Sequence, residues 1–243
     1  MSGIGPISGV GIYDLLNAGA KIRYGKLMLA TSPVNYWRLG DASGTTAVDE
    51  MGVNNGTYVG TPTLGAAGLL YGDPNPAVTL NGTQYVTATS NDVSGTNPFT
   101  LAAWVNFTPS GYQMFISNPV TSGGYGAEII DGLSGPFIRR VNSAGEDAAP
   151  ASGSQVQLSA GVTHLVVGTY DGTSLRLYVD GLLEGSPVAS SRVLPAVSTG
   201  VFHIGADAAN GSKLTGTLDE GAYWDRALTA AEIADLYLVG SGT

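Results

Sequence analysis

The chain has 243 residues, with 19 acidic and 10 basic side chains that leave a formal net charge of −9. That charge repels phosphate backbones, so the composition disfavours nucleic acid as a partner. Because the chain has no cysteine, disulfide frameworks, thiolate metal sites and cysteine nucleophiles are excluded, and no apolar run approaches the ~18 residues that a membrane span needs.

Residues 1–32 form a segment of their own, rich in glycine and without the alternation of a strand. We expect an N-terminal arm that docks on its own domain or on a neighbouring subunit, with a short helix compatible with residues 13–20. The start lacks the basic and apolar blocks of a secretory signal. The apolar and basic side chains expected to make the docking contacts are Ile4, Ile7, Ile12, Tyr13, Lys21 and Arg23.

Residues 33–243 carry regularly spaced β signals separated by turn residues, which are typical of a sandwich rather than of βαβ units. The predicted strands are residues 35–39, 77–80, 83–87, 99–107, 113–117, 126–130, 137–141, 162–170, 175–179, 201–205 and 214–224. Asn81-Gly82 predicts a tight turn that joins its two flanking strands into a hairpin. Asp171-Gly172 and Asp180-Gly181 predict the turns of a meander.

The segment 99–107 alternates cleanly, so Phe99, Leu101 and every second residue after them are expected on one face. Near the carboxyl end, Thr229-Ala-Ala-Glu232 is a capping box that predicts a helix beginning after Thr229. This helix is expected to end at Gly240 and to plug one end of the sandwich.

Eight segments in order resemble the laminin-G-like branch of the concanavalin A-like lectin and glucanase superfamily, over about residues 33–240. They include Asn35-Tyr-Trp-Arg-Leu-Gly-Asp41, Leu175-Arg-Leu-Tyr-Val-Asp-Gly181 and Tyr223-Trp-Asp-Arg-Ala-Leu-Thr-Ala-Ala-Glu-Ile233. The resemblance implies an all-β, antiparallel two-sheet jelly roll with one short C-terminal helix. It implies no single function, because this fold carries lectins, adhesins, glycanases and structural modules.

Glycanases with this fold place two acidic residues on one face of a strand, which residues at i and i+2 achieve. The middle strands contain no such pair. The acidic neighbours that do occur are expected to face opposite sides: Glu128 with Asp131, Asp219 with Glu220, and Glu146 with Asp147. The two histidines, His164 and His203, fall in strand-like runs and are predicted to be packed residues, so we expect no catalytic residues and no enzyme.

In relatives with this fold, a structural calcium often joins the first strand, a glycine turn and an aspartate of the last strand. By resemblance, the matching positions are the backbone of Arg38 or Leu39, the backbone of Gly82 and the carboxylate of Asp219. Asp49, with Asn54 and Asn55, offers a second oxygen-rich loop. The alternative for Asp219 is an internal hydrogen bond that closes the sheet.

A glycan site needs an exposed aromatic ring beside amides or carboxylates. The loops around the middle strands contain Tyr112, Tyr125, Asn118 and Asp131, which are the predicted glycan contacts. Trp37, Trp104 and Trp224 are predicted to be core residues instead.

These features favour a non-catalytic structural or adhesive protein, such as a bacteriophage head-decoration or tail component on a virion or an extracellular surface. Its expected partners are other subunits of an assembly, in a homo-oligomer or a virion, and surface glycans. The alternatives are a free carbohydrate-binding or adhesin module and, less favoured, a glycan hydrolase.

Overall fold

The structure is a computed structural model that describes residues 24–121, 124, 126–151, 155–207 and 211–243. Within these ranges the chain forms two helices, α1 (Tyr24–Ala30) and α2 (Ala230–Ser241), and sixteen strands. In chain order the strands are β1 (Asn35–Trp37), β2 (Thr46–Ala47), β3 (Gly56–Val59), β4 (Thr63–Ala66), β5 (Ala77–Asn81), β6 (Tyr85–Thr89), β7 (Phe99–Phe107), β8 (Gln113–Pro119), β9 (Gly126–Gly132), β10 (Gly135–Asn142), β11 (Gly145–Ala149), β12 (Thr163–Tyr170), β13 (Ser174–Val179), β14 (Leu182–Ala189), β15 (Val201–Ile204) and β16 (Thr215–Trp224).

The strands make two sheets of eight. Sheet A has the order β14-β13-β12-β7-β16-β5-β4, with β1 also paired to β16, and sheet B has the order β11-β10-β9-β8-β15-β6-β3-β2. Every named pairing is antiparallel. The predicted all-β, two-sheet architecture is therefore confirmed.

The main core lies between the sheets. Strand β7 points Phe99, Leu101 and Phe107 into it, as the alternation predicts, and sheet B contributes side chains such as Phe115 and Ile129 from the opposite side. Burying one such side chain contributes about 1.5–3 kcal/mol to folding. The alternate side chains of β7 are thus a principal source of the cohesion between the sheets.

The outer face of sheet A is covered by both helices, which form a second core there. Trp104 of β7 packs against Tyr24 and Met28 of α1 and against Ile233 and Leu236 of α2. The Trp104 Nε1 donates to the Tyr24 hydroxyl at 2.9 Å. Helix α2 therefore lies flat across the sheet, and the expectation that it plugs one end of the sandwich is wrong.

Helix α2 begins as its sequence predicts. The Thr229 side chain accepts the N–H of Glu232, and the Glu232 side chain accepts the N–H of Thr229, which completes the capping box. The helix does not end at Gly240 but continues to Ser241 and is capped by Gly242 with φ of 74°. Gly240 serves close packing instead, since a Cβ atom there would lie 2.2 Å from Trp104.

The predicted hairpin around Asn81-Gly82 is wrong. Strand β5 belongs to sheet A and β6 to sheet B, so this turn carries the chain from one sheet to the other. Val78 of β5 and Val86 of β6 face the same interior from opposite sides. Gly82 adopts a left-handed φ of 82°, whereas Asn81 is not among the described residues with positive φ. A local turn signal does not decide which sheet the next strand joins.

The helix α1 lies inside residues 1–32, which the sequence assigned to the arm, yet Tyr24 and Met28 are core residues of the domain. The predicted core tryptophans, Trp37, Trp104 and Trp224, are at most 1% exposed, which confirms that prediction. In the described part of the chain, neither helix has the length and apolar character to cross a membrane.

Candidate functional site

The neighbouring carboxyl groups of Asp219 and Glu220 lie on the same face of sheet A, because β16 bulges between them and β7. Asp219 pairs with Trp104 and Ala222 with Ala102, which leaves one extra residue on β16. Glu220 adopts a left-handed φ of 55° in this bulge. The expectation that these two side chains face opposite sides is therefore wrong, since strict alternation fails at a bulge.

Arg38 neutralises Glu220. Its Nε and Nη2 atoms donate to Oε1 of Glu220 at 3.0 and 2.9 Å, and its Nη2 also lies 2.9 Å from Oδ2 of Asp73. The Tyr36 hydroxyl donates to Oε2 of Glu220. The guanidinium therefore supplies the positive charge in this acidic cluster.

The two carboxyl groups differ in protonation. Burial raises the pKa of Asp219 to about 8, and the charge of Glu220 adds to the increase. Asp219 accepts one N–H, from Leu69 at 2.9 Å, and its Oδ1 is buried without a hydrogen-bond partner. Burial also raises the pKa of Glu220, but the Arg38 guanidinium opposes that increase. Asp219 therefore binds a proton more readily than Glu220, whose negative charge the Arg38 guanidinium stabilises.

This pair is not placed to act on a sugar. Asp219 and Glu220 are each 1% exposed, whereas glycoside hydrolysis needs both carboxyl groups beside the scissile bond. Glu128 and Asp131 face opposite sides of β9 as expected, because Glu128 bonds Ser117 and Arg139 outside the core while Asp131 lies on the face of Ile129. Within the described residues, these carboxyl groups therefore either bond to other groups of the protein or lack a hydrogen-bond partner.

The residues predicted to bind calcium do not meet at one site. Gly82 donates its N–H to Leu214, and Leu214 precedes Asp219 by five positions along β16, about 17 Å at strand spacing. Leu39 is close to the acid pair, since the N–H of Glu220 lies 3.5 Å from the Arg38 carbonyl. The cation beside Asp219 is a guanidinium, so these residues do not fit a shared calcium ion.

Asp49 has a structural role in its loop. Its carboxylate is 2% exposed and accepts five hydrogen bonds from N–H donors, which leaves no lone pair free for a cation. The donors are Asn35 Nδ2 and the backbone N–H groups of Tyr36, Met51, Val53 and Asn54. Among the described residues, no group of three or more acidic or histidine side chains is arranged to hold a metal ion.

The predicted glycan contacts are scattered. Tyr112 is 55% exposed, and Tyr125 lies outside the described residues. Asn118 and Asp131 are fully buried, so neither can touch a glycan, and their prediction as contacts is corrected. Burial raises the pKa of Asp131 to about 7, and both its carboxylate oxygens lack a hydrogen-bond partner.

The histidines are packed strand residues, as predicted. The Nδ1 of His164 lies 2.7 Å from Oδ2 of Asp180 in the adjacent turn. His203 is 5% exposed, and its ring lies 5.7 Å from the ring of Tyr85.

The residues predicted for the arm contacts all lie outside the described part of the chain. They are Ile4, Ile7, Ile12, Tyr13, Lys21 and Arg23.

An open groove of about 400 Å³ lies at the end of the sandwich where β6 and β16 end and where β1 and β7 begin. We call it the rim groove. Its lining residues are Val34, Asn91, Asp92, Asn97, Pro98, Tyr223 and Asp225.

A hydrogen bond holds the base of the rim groove in place, and the residues of its walls are exposed. Tyr223 is 2% exposed, and its hydroxyl donates to the Asp92 carbonyl at 3.1 Å, which fixes the ring. Asp92, Asn97, Pro98 and Asp225 are all exposed. Two carboxylates and an amide therefore face solvent around an apolar base.

Asp92 is held in place by its own loop. Its Oδ1 accepts the N–H of Ser94 at 2.9 Å, and the Asn97 amide lies 3.4 Å from its Oδ2. Hydrogen bonds from Ser94 lower the pKa of Asp92. The Asp92 carboxylate therefore remains ionised under mildly acidic conditions as well as at neutral pH.

Asn118 supports the rim groove from behind. Its Oδ1 accepts the backbone N–H of Asn91 at 3.0 Å, and its amide donates back to the Asn91 carbonyl at 3.4 Å. These bonds fix the backbone of Asn91, whose own Nδ2 is buried without a hydrogen-bond partner. The predicted contact residue Asn118 thus holds the backbone of the loop that lines the groove.

The rim groove suits a hydroxyl-rich ligand. The carboxylates of Asp92 and Asp225 accept hydrogen bonds from hydroxyl groups, and the exposed amide of Asn97 both donates and accepts. Val34 supplies apolar surface for the carbon face of a ring. The sequence does not reveal this site because three separate segments form it, and no local motif joins them.

A second groove, of about 410 Å³, lies between α1 and residues 73–76. Its lining includes Lys26, Glu50 and Asp73. The guanidinium at its base belongs to Arg38, which is already paired with Asp73 and Glu220. The charges of Arg38 and Asp73 in this groove are therefore paired within the protein.

Several solved structures share the fold. Domain 4 of an extracellular arabinanase from Geobacillus stearothermophilus, solved with arabinotriose, is 15% identical with a TM-score of 0.64, and the match covers 84% of this chain and 98% of that domain. The receptor-binding domain of botulinum neurotoxin mosaic serotype C/D is 10% identical with a TM-score of 0.61, covering 85% of this chain and 50% of that one.

Trypanosoma rangeli sialidase, solved with sialic acid, is 19% identical with a TM-score of 0.58, covering 86% of this chain and 33% of the sialidase. This chain thus spans half of the toxin domain and a third of the sialidase. At these identities the likeness shows the fold alone. No curated protein matches the chain.

A family model matches residues 80–234 and is described as the concanavalin A-like lectin/glucanases superfamily, of the laminin-G type. The matched range runs from the end of β5 to the middle of α2 and includes the long central strands of both sheets. The chain therefore belongs to the laminin-G-like concanavalin A-like lectin/glucanases superfamily.

Proposed function

We propose that this chain is a non-catalytic surface module that binds glycans in the rim groove. The observation that carries the proposal is the groove itself, an open concavity of about 400 Å³ at the end of the sandwich. Ligand sites combine a concave apolar surface with a few convergent polar groups. The rim groove has both, and its polar groups suit sugar hydroxyls.

Proteins with the same fold lend support. The arabinanase domain was solved with arabinotriose, the sialidase with sialic acid, and the toxin domain is a receptor-binding domain. The fold thus occurs in proteins that handle carbohydrates or receptors. We propose only that this chain binds the same general class of ligand. The position of the site is argued from the residues of this chain.

The non-catalytic part of the proposal rests on the acid pair. Asp219 and Glu220 are the acidic neighbours that share a face, and both are buried beneath α1 and the Arg38 side chain. A buried pair neutralised by a guanidinium stabilises the fold rather than a transition state. Turnover of a bound oligosaccharide by the purified protein would contradict this part.

The binding test uses the whole chain on an array of immobilised plant, microbial and animal glycans. Asp225→Ala removes an exposed carboxylate from the groove and should weaken binding to any array hit by about 10–100-fold, because a hydrogen bond to a charged group contributes about 1.5–3 kcal/mol. Asp235→Ala, on helix α2, is the matched control and should bind normally.

Isothermal titration with the hit oligosaccharide then measures the affinities of both variants. The proposal fails if no glycan binds above background. It also fails if Asp225→Ala binds as tightly as the unaltered chain.

We further propose that the module sits on a virion or another extracellular surface and joins its assembly through residues 1–23. Laminin-G-like domains typically occur outside cells or on surfaces. Tyr24 is 3% exposed and packs in the second core, so residues 1–23 precede the packed part of the domain. The glycine-rich composition of this segment supports an assembly role of the arm.

Deletion of residues 1–23 tests the assembly role and leaves α1 intact. The shortened chain should keep its melting temperature but lose association with itself or with its native particle, as measured by light scattering and co-sedimentation. Association equal to that of the full chain would overturn this role, without affecting the glycan proposal.

A further inference from the structure

We infer that the rim groove selects uncharged, hydroxyl-rich glycans and rejects glycans that carry carboxylate, sulfate or phosphate groups. This inference rests on the function proposed above and names the class of ligand. It follows from the sign of the charges in the groove and from the balance of hydrogen-bond donors and acceptors.

The charges in the rim groove have one sign. Asp92 and Asp225 are both exposed, and no lysine or arginine is among the residues that line the groove. The whole chain adds to this field with its net charge of −9. An anionic group within a few ångströms of either carboxylate is repelled, and little compensating positive charge is at hand.

The hydrogen-bonding groups of the groove point to the same ligand class. The Tyr223 hydroxyl is already used on the Asp92 carbonyl, and the Asn97 amide leans toward the Asp92 carboxylate. The Nδ2 of Asn91 has no partner, but it is buried, so it offers no donor to a ligand in the groove. Acceptors therefore exceed free donors, which favours a ligand that donates many hydrogen bonds.

Sugar hydroxyls donate, whereas carboxylates, sulfates and phosphates at neutral pH only accept. An acidic sugar would thus lose hydrogen bonds in this groove as well as meet repulsion. A hydroxyl group of a neutral sugar replaces water as the hydrogen-bond donor to the Asp225 carboxylate. Charge repulsion and the loss of hydrogen bonds both disfavour an acidic sugar, so the selection does not depend on either effect alone.

The test uses pairs of glycans on one array, each pair setting a neutral glycan against an acidic counterpart. Suitable pairs are lactose with sialyllactose, galacto-oligosaccharides with galacturono-oligosaccharides, and neutral with sulfated galactans. We expect the neutral member of each pair to bind with at least about tenfold higher affinity than the acidic member. The discrimination should shrink when the salt concentration rises from about 0.02 M to about 0.5 M.

Asp225→Lys reverses one charge and should reduce the discrimination by about tenfold or invert it. Asp235→Lys changes the net charge equally at a site on α2 and should leave the discrimination unchanged. Equal or tighter binding of the acidic members by the unaltered chain overturns the inference but leaves glycan binding in place. Failure of every pair to bind instead overturns the proposed function.

Discussion

Arg38 and Glu220 lie 182 positions apart in the sequence, yet two nitrogen atoms of the guanidinium donate to the same carboxylate oxygen at 3.0 and 2.9 Å. The Glu220 side chain is fully buried, whereas the Arg38 side chain is 24% exposed. This ion pair therefore connects the first strand of the sandwich to the bulge in the last strand. It also compensates a charge that would otherwise be isolated in the second core.

Arg38→Met should destabilise the fold by about 2–4 kcal/mol. Removal of one partner of a buried pair typically costs about 3–5 kcal/mol, and the partial exposure of Arg38 reduces that cost. Urea denaturation followed by tryptophan fluorescence measures the change in the free energy of unfolding.

Two further variants make the Arg38 result specific. Glu220→Gln in the Arg38→Met background should recover stability, because it removes the uncompensated charge. Arg176→Met breaks the pair with Asp171, in which the side chains are 28% and 32% exposed, and should cost less than about 1 kcal/mol. Equal losses for Arg38→Met and Arg176→Met would contradict the role given to the buried pair.

Asp131→Asn should stabilise the protein at pH 8 and have little effect at pH 4. The pKa of Asp131 in the folded chain is raised to about 7, above the value of ~3.9 in an unfolded chain. The folded state therefore binds the extra proton, and stability is lost as pH rises from about 4 to about 7. Asparagine has the same size but no charge to bury.

The expected gain for Asp131→Asn at pH 8 is about 1–3 kcal/mol, the range for a buried group without partners. Thermal unfolding at intervals between pH 4 and pH 8 measures it as the difference between the two proteins. A difference that does not change with pH would show that Asp131 does not titrate in this range.

Gly240→Ala and Gly25→Ala should have opposite effects, although both glycines lie in helices. A Cβ atom at Gly240 would meet Trp104 at 2.2 Å, whereas a Cβ atom at Gly25 has no neighbour closer than 3.7 Å. Overpacking costs about 1–3 kcal/mol, while alanine in an open helical position gains up to about 1 kcal/mol over glycine. Melting temperatures and near-ultraviolet dichroism of the tryptophans measure both effects.

Affinity for a neutral glycan should be constant from pH 8 down to about pH 5 and fall below about pH 4. Hydrogen bonds from Ser94 lower the pKa of Asp92 below its usual value. The Asp92 carboxylate therefore stays ionised, and accepts hydrogen bonds, between pH 8 and about pH 5. Titration calorimetry across this range is the measurement. A loss of affinity already at pH 6 would place the binding groups elsewhere.

The sequence predicts most of the long strands and the start of α2 because their signals are local. Alternation in β7 and the capping box at Thr229 depend on residues only a few positions apart. It does not predict the strands β2, β3, β4, β11 and β14, which carry little apolar alternation, and β14 is largely exposed. Helix α1 was not foreseen either, because its packing against Trp104 is a long-range contact.

The candidate site was not predictable for the same reason. Val34, the loop with Asn91 and Asn97, and Asp225 belong to three segments that become neighbours only when the sheets are assembled. The bulge at Glu220 also escaped detection, because nothing in Leu-Asp-Glu-Gly signals an extra residue until the register with β7 is known. The sequence shows which single residues are polar, but the strand order of the two sheets determines which other residues they contact.

The two helices run antiparallel across sheet A. Tyr24 and Gly240 both lie against Trp104, whereas Thr31 and Leu228 lie at the far ends of the helices, beside Trp224 and Thr100. The rim groove adjoins that far end. A carrier, bead or sensor chip joined through either end of the described chain would thus attach on the Trp104 side and leave the groove open for display.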